Sequence, residues 1–274
     1  MIDVFYINSK NEKLNLRGPD FIITNNNDLG NWEWTYEVSN GVIKQFEKKF
    51  KEKSLQLLVK GKTKDACSRL MNALYEKTEI DICTKTPGKL YVGDYYLECY
   101  LISKDIDNSI IGKNALETLK IMPVGKVWLK KQQFHLSHTD EPIQSGHGYP
   151  HDYPYGYSIG TGHSATVTNE GFTDSNMIIT IYGYAYHPEI LINGHSYKLN
   201  CIIDSNQKAV INTRDRTIRL INLQSGIVKN AFMFREQSSN IFEKISPGEH
   251  TVFWNTNFNF DITMLVERSE PEWL

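Results

Sequence analysis

His147-Gly148-Tyr149-Pro150-His151-Asp152-Tyr153-Pro154-Tyr155-Gly156-Tyr157 sets four tyrosines and two prolines in eleven residues. Each proline fixes its own φ and pushes the tyrosine before it toward an extended backbone. Such a run is too proline-rich for a central strand and too aromatic for a free linker. It reads as a stiff strap that leaves one domain and is pinned on a second, with Tyr149, Pro150, Tyr153, Pro154 and Tyr155 as its contact residues. The 274-residue chain then divides into a first domain, 1–136, a strap, 137–157, and a second domain, 158–274.

Upstream of the strap, strands dominate. Residues 2–7 open one, Leu14–Leu16 and Phe21–Ile23 follow about a Gly18-Pro19 turn, and Asn25–Asp28 reads as a polar loop. Trp32 to Val38 alternates large apolar and polar residues, the period of a half-buried strand. Ser54–Val59 is another. The one clear helix spans about Lys64 to Lys77. Thr63 is its N-cap, Asp65 suits the first turn, and Ala66, Cys67, Leu70, Met71, Leu74 and Tyr75 form one apolar stripe. Met71 and Tyr75 are therefore core candidates. Ile80–Cys83 alternates as a strand. Leu90–Val92 and Tyr95–Ile102 make a hairpin about Gly93-Asp94. Strands at Ala115–Ile121 and Lys126–Leu136 complete the domain.

Downstream, short strands recur with turn signals between them: Ser164–Thr168, Met177–Tyr184, Glu189–Ile192, Tyr197–Ile203, Lys208–Asn212, Thr217–Ile221, His250–Asn255 and Asn259–Arg268. Asn193-Gly194 is hairpin-turn chemistry. No convincing helix appears, which is the signature of a β-sandwich.

Composition narrows the chemistry. A net charge of −2 and a pI near 6.5 lack the basic excess of nucleic-acid or membrane-surface binders. Lysines 48, 49, 51, 53, 60, 62 and 64 face only Glu47 and Glu52 locally. No interleaved aromatics turn that run into a stacking platform, so it reads as a solvated or inter-subunit face. No apolar run approaches a membrane span. Met1-Ile2-Asp3-Val4 lacks a basic signal region, so folding in a cytoplasm is expected. Cysteines 67, 83, 99 and 201 form no CxxC pair and read as reduced thiols.

No catalytic or metal set emerges. His135, His138, His147 and His151 cluster near the strap, but their spacing fits no zinc pattern. Gly162-His163-Ser164-Ala165-Thr166 lacks the second glycine of a nucleophile elbow and leads into a strand. No cofactor is expected. For a sugar-binding second domain, Trp254 and Arg214 are the residues available; the plain reading makes one a core ring and the other a turn cation.

Four stretches, taken in order, resemble the distal tail proteins of long, flexible-tailed phages of Gram-positive bacteria. They are Gly88–Leu97, the strap at Tyr149–Tyr157, Tyr182-Gly183 with His187–Ile190, and Pro247–Val252. Tyr155-Gly156-Tyr157 departs from the more uniform aromatic-acidic repeat expected there. The resemblance covers nearly the whole chain. It implies a mainly-β protein: an N-terminal β-sandwich with one α-helix and a β-hairpin, related to tail-tube proteins, and a galectin-like C-terminal β-sandwich. It further implies a non-enzymatic homo-hexameric ring in the virion tail, with DNA passing through its channel. Its partners would be the tail-tube protein, the tail-associated tip protein and a receptor-binding protein. A lectin-like host-surface module is the alternative. Within a ring, the 88–102 hairpin is the expected crossing element, with Leu90, Tyr91, Tyr95 and Tyr96 as inter-subunit residues.

Overall fold

A computed structural model describes residues 2–111, 113–137, 163–254 and 258–272. The strap tyrosines and prolines, with His138, His147 and His151, lie outside these residues. The chain is mainly β, and contacts divide it into two units: Met1–Lys130 with Glu267–Leu274, and Lys131–Val266.

In unit 1 the strands are β1 (Val4–Ile7), β2 (Lys13–Asn15), β3 (Phe21–Asn27), β4 (Trp34–Ser39), β5 (Val42–Lys48), β6 (Lys53–Lys60), β7 (Gly88–Val92), β8 (Tyr95–Ile111) and β9 (Asn114–Pro123), with helix α1 (Lys64–Thr84) between β6 and β7. Strand β10 (Trp128–Leu136) begins in this unit and continues in unit 2. β8 is long enough to serve two groups of strands. Its first residues pair with β7, which in turn pairs with β1 and then β2. Its later residues pair with β9, then β6, then β3. Alternation explains the core: Leu55, Leu57 and Val59 on β6 turn inward opposite Leu119, Glu117 and Ala115 on β9. A carboxylate thus stands in an otherwise apolar row. Asn25–Asn27 belong to β3 rather than to a loop.

Helix α1 covers strands β6, β8 and β9. Thr63 caps it, accepting from the Ala66 N–H. Two expectations are corrected here. Ile80–Cys83 is not a strand but the last turn of α1, because alternation over four residues also fits a helix whose next buried position is Asp81. The helix buries Cys67, Leu74, Thr78 and Asp81. The Asp81 carboxylate accepts from the Tyr6 hydroxyl and, at 2.7 Å, from the Ser9 N–H. Met71 packs against the core, but Tyr75 is 55% exposed. The stripe continues past residue 77, so it is centred one position away from Tyr75.

Unit 2 is a sandwich. Its strands are β11 (His163–Asn169), β12 (Asn176–Tyr182), β13 (Ala185–Tyr186), β14 (Glu189–Ile192), β15 (His195–Lys198), β16 (Ile202–Ile203), β17 (Gln207–Asn212), β18 (Thr217–Asn222), β19 (Val228–Asn230), β20 (Gly248–Trp254) and β21 (Phe260–Arg268). A short 3-10 turn, η1, covers Phe232–Phe234. One sheet runs β19-β18-β17-β12-β21 and the other β11-β20-β14-β15. Ile179, Ile181 and Ile262 from the first sheet meet Ile190, Val252 and Trp254 from the second in one buried cluster. Each fully buried aliphatic side chain of this kind contributes about 1.5–3 kcal/mol relative to exposure.

Candidate interaction surface

β4 and β5 form a two-stranded sheet of their own. Their turn, Asn40-Gly41, holds φ at 53° and 75°, which is the type I′ geometry that suits a right-twisted hairpin. The register sets Trp34 against Lys48, Tyr36 against Phe46, and, after a bulge, Val38 against Ile43. Paired residues share a face. One face therefore carries Trp34, Tyr36, Val38, Ile43 and Phe46, with the Lys48 ammonium 5.2 Å from the Trp34 ring. The opposite face carries Thr35, Glu37, Gln45 and Glu47.

Both strands of this amphipathic hairpin lie at the surface. Tyr36 is 63% exposed and Phe46 59%, so Trp32–Val38 is no half-buried strand. The alternation is real, but nothing among the described residues covers its apolar side. The base, by contrast, is well tied. Lys53, buried, donates to the carbonyls of Leu29 and Asn31 at 2.9 and 2.7 Å, fixing the loop before β4. Burial pushes its ammonium pKa down. Lys49 pairs with Glu33 at 3.1 Å. On the polar face, Lys126 reaches Glu47 at 2.6 Å and holds that carboxyl below its usual range. Burial also pushes Lys48 down. Of the basic run, Lys48, Lys49 and Lys53 thus belong to a hairpin strand and its anchor, while Lys60 ends β6 and Lys64 opens α1.

The residues expected at an inter-subunit contact sit differently. β7 is hydrogen-bonded on both sides, to β1 and β8, and offers no open edge. Leu90, Tyr95 and Tyr96 are buried inside the unit. Tyr91 is half-buried and stacks on Phe5 at 4.6 Å between ring centroids. The sequence marks 88–102 as the hairpin expected to cross to a neighbour, and the exposed hairpin is β4–β5 instead. The signal that would have found it was Asn40-Gly41 between two alternating runs.

The structure does not bring Trp254 and Arg214 together. Trp254 is buried, with ring contacts to His163 and Phe260. Phe260 pairs with Ile181 near one end of β12, whereas Arg214 follows Asn212, which pairs with Ile178 toward the other end. Trp254 therefore presents no face to a ligand. His135 lies 2.8 Å from Asp261, which also accepts from the Tyr182 hydroxyl at 2.7 Å. Among the described residues no group of three or more His, Cys, Asp or Glu side chains is arranged to hold a metal. The four cysteines are free thiols, and burial pushes Cys99 up to about 12. No helix among the described residues is long and apolar enough to cross a membrane.

Solved structures share this arrangement from end to end. A chain of the phage P2 baseplate, in its activated conformation with calcium, superposes with a TM-score of 0.63. The two are 12% identical, with 99% of this chain and 100% of that chain covered. The crystal structure of the SPP1 Dit protein matches with a TM-score of 0.60 at 11% identity, over 97% of this chain and 99% of that one. The chain has the Dit fold. The SPP1 protein is described as a paradigm of the hub adsorption apparatus in phages that infect Gram-positive bacteria. The strontium form of the phage p2 baseplate matches as the calcium form does, at a TM-score of 0.63. No protein-family profile and no curated protein matches the chain by sequence. The Dit fold is thus seen in the backbone path, at an identity where side chains have almost wholly diverged.

Proposed function

We propose that this chain is a structural subunit of a phage tail baseplate hub. Six copies close into a ring around the tail channel, through which DNA passes. The ring joins the tail tube to the tip and its receptor-binding proteins. It carries no catalytic centre and works by holding its neighbours. The observation that supports this reading most directly is the exposed apolar face of the β4–β5 hairpin, in a chain that shares the hub fold over its whole length. Aromatic side chains bury roughly 150–250 Å² each on contact. Three of them, Trp34, Tyr36 and Phe46, exposed on one face form the kind of apolar patch that marks a site where a neighbour binds. A ring needs such a heterologous contact, in which one patch meets a different patch on the next copy.

The test is direct. Purified protein is examined by light scattering and negative-stain electron microscopy. Six-fold rings with a central channel are expected. A species that stays monomeric up to high concentration, in protein that also fails to join tails, would overturn the reading.

A further inference from the structure

A small cavity sits at the base of the β4–β5 hairpin, where the hairpin meets the turn between β9 and β10. Its volume is about 20 Å³, room for roughly one water-sized group. Five lysines line it, Lys48, Lys49, Lys51, Lys53 and Lys126, against one carboxylate, Glu33. Two of the five are neutralised: Lys49 by Glu33 at 3.1 Å, and Lys126 by Glu47 at 2.6 Å. The other three are not. Lys53 gives its hydrogen bonds to backbone carbonyls. Lys48 is half-buried, with its ammonium beside the Trp34 ring. Lys51 makes no hydrogen bond or ion pair among the described residues. Carboxylates do act from nearby, Glu267 on Lys48, and Asp28 and Glu270 on Lys53. None of them lines the cavity, and Asp28 already accepts from the Ser54 N–H. Burial outweighs them and pushes both ammoniums down.

The wall also holds a donor with nothing to donate to. Trp128 is fully buried, and its indole Nε1–H has no hydrogen-bond partner. A buried N–H of this kind costs free energy until an acceptor arrives. The lining side chains able to accept are Asn31, Glu33 and Ser269, and Glu33 is held by Lys49. Water must donate as well as accept, so a group that only accepts suits this donor-rich wall better. Unbalanced positive charge and an orphan N–H, around space for one compact group, are the chemistry of an anion site. We infer that the cavity binds one small inorganic anion, a chloride or a phosphate seated by one oxygen, which accepts from the Trp128 indole N–H and balances Lys48 and Lys51. The ion ties together the end of β5, the start of β6 and the first residue of β10. The hairpin base is then fixed by a ligand as well as by packing.

The test titrates the whole chain. Protein is dialysed into sodium gluconate, a bulkier anion, and chloride or phosphate is added at constant ionic strength. The Trp128 indole N–H signal is followed in TROSY NMR spectra and assigned by its loss in Trp128→Phe. A saturable shift of that signal is expected, with a matching rise in melting temperature. Saturation by chloride assigns a halide site, and saturation by phosphate alone an oxyanion site. No saturable shift with either ion would overturn the proposal and leave the cavity to water. Lys51→Gln should fold normally, since the side chain is exposed and bonds nothing. It should raise the half-saturating concentration about tenfold, the loss of one charge-assisted contact. Lys62→Gln, exposed beyond the far end of β6 and outside the cavity, should leave it unchanged. An equal effect from both variants would overturn the site in favour of general screening.

Discussion

Gly88 shows how closely single residues are fitted in unit 1. A Cβ there would collide with the Tyr6 hydroxyl, which donates to Asp81. Burial, then the nearby Cys99 and the Asp81 carboxylate, push the Tyr6 phenol far above its ordinary range. Gly88→Ala is expected to cost about 1–3 kcal/mol by overpacking, read as a lower urea midpoint. Glu117 is the opposite case, a residue the core would do better without. Its side chain is fully buried between apolar rows, and burial raises its pKa despite Lys104. Since its folded pKa lies above the unfolded value, ionisation penalises the fold at neutral pH. That penalty fades as pH falls through the folded pKa toward the ordinary carboxylate range. Removing Glu117 alone would strand the Lys104 ammonium, 2.9 Å away, so the pair is replaced together: Glu117→Leu with Lys104→Met should stabilise by about 1 kcal/mol at pH 7, with the gain shrinking toward pH 4. Thermal melts across that range check it; a loss of stability at pH 7 would count against the argument. None of this was readable from sequence, where Glu117 is one polar residue in an alternating strand.

At the level of elements, the sequence was most informative where one rule acted alone. The strands of unit 2 alternate for much of their length, and seven of the eight expected stretches appear as single strands with ends within two residues of those read from the pattern; Tyr197–Ile203 alone divides into β15 and β16. The helix start was legible through Thr63 and Asp65. Its end was not, because the residue that holds the last turn is Asp81, bound to Tyr6 and Ser9 some seventy positions away. The helix stops at Lys85, whose φ of 53° is the left-handed conformation that glycine adopts freely. Lys85→Gly is expected to stabilise by about 0.5–1 kcal/mol, seen as a higher denaturant midpoint with an unchanged slope. The free hairpin was misplaced for a related reason. Period-two alternation shows that a strand has an apolar side, but not whether its own chain covers that side.

For the whole molecule, the order of strands with one helix carried the fold class. What no local pattern held was which apolar face remains for a neighbour. Replacing Tyr36 and Phe46 by serine together should leave the monomer folded, with unchanged far-ultraviolet circular dichroism, because neither side chain belongs to the buried core. Under the proposed ring assembly, the parent is expected to run as a ring on size exclusion and the same variant as a monomer. A variant that still forms rings would place the subunit contact elsewhere.

The free hairpin also bears on how assembly proceeds in time. In the proposed ring, with its head-to-tail contacts, an arc of copies, however long, keeps one uncovered patch at each end. Only the last contact hides both, and it joins two ends already tethered, so its effective concentration far exceeds that of free subunits. Arcs are therefore expected to be scarce at every dilution. Native mass spectrometry should find monomers and closed rings with little between them, and half-built hubs would have little time in which to aggregate through an uncovered strand.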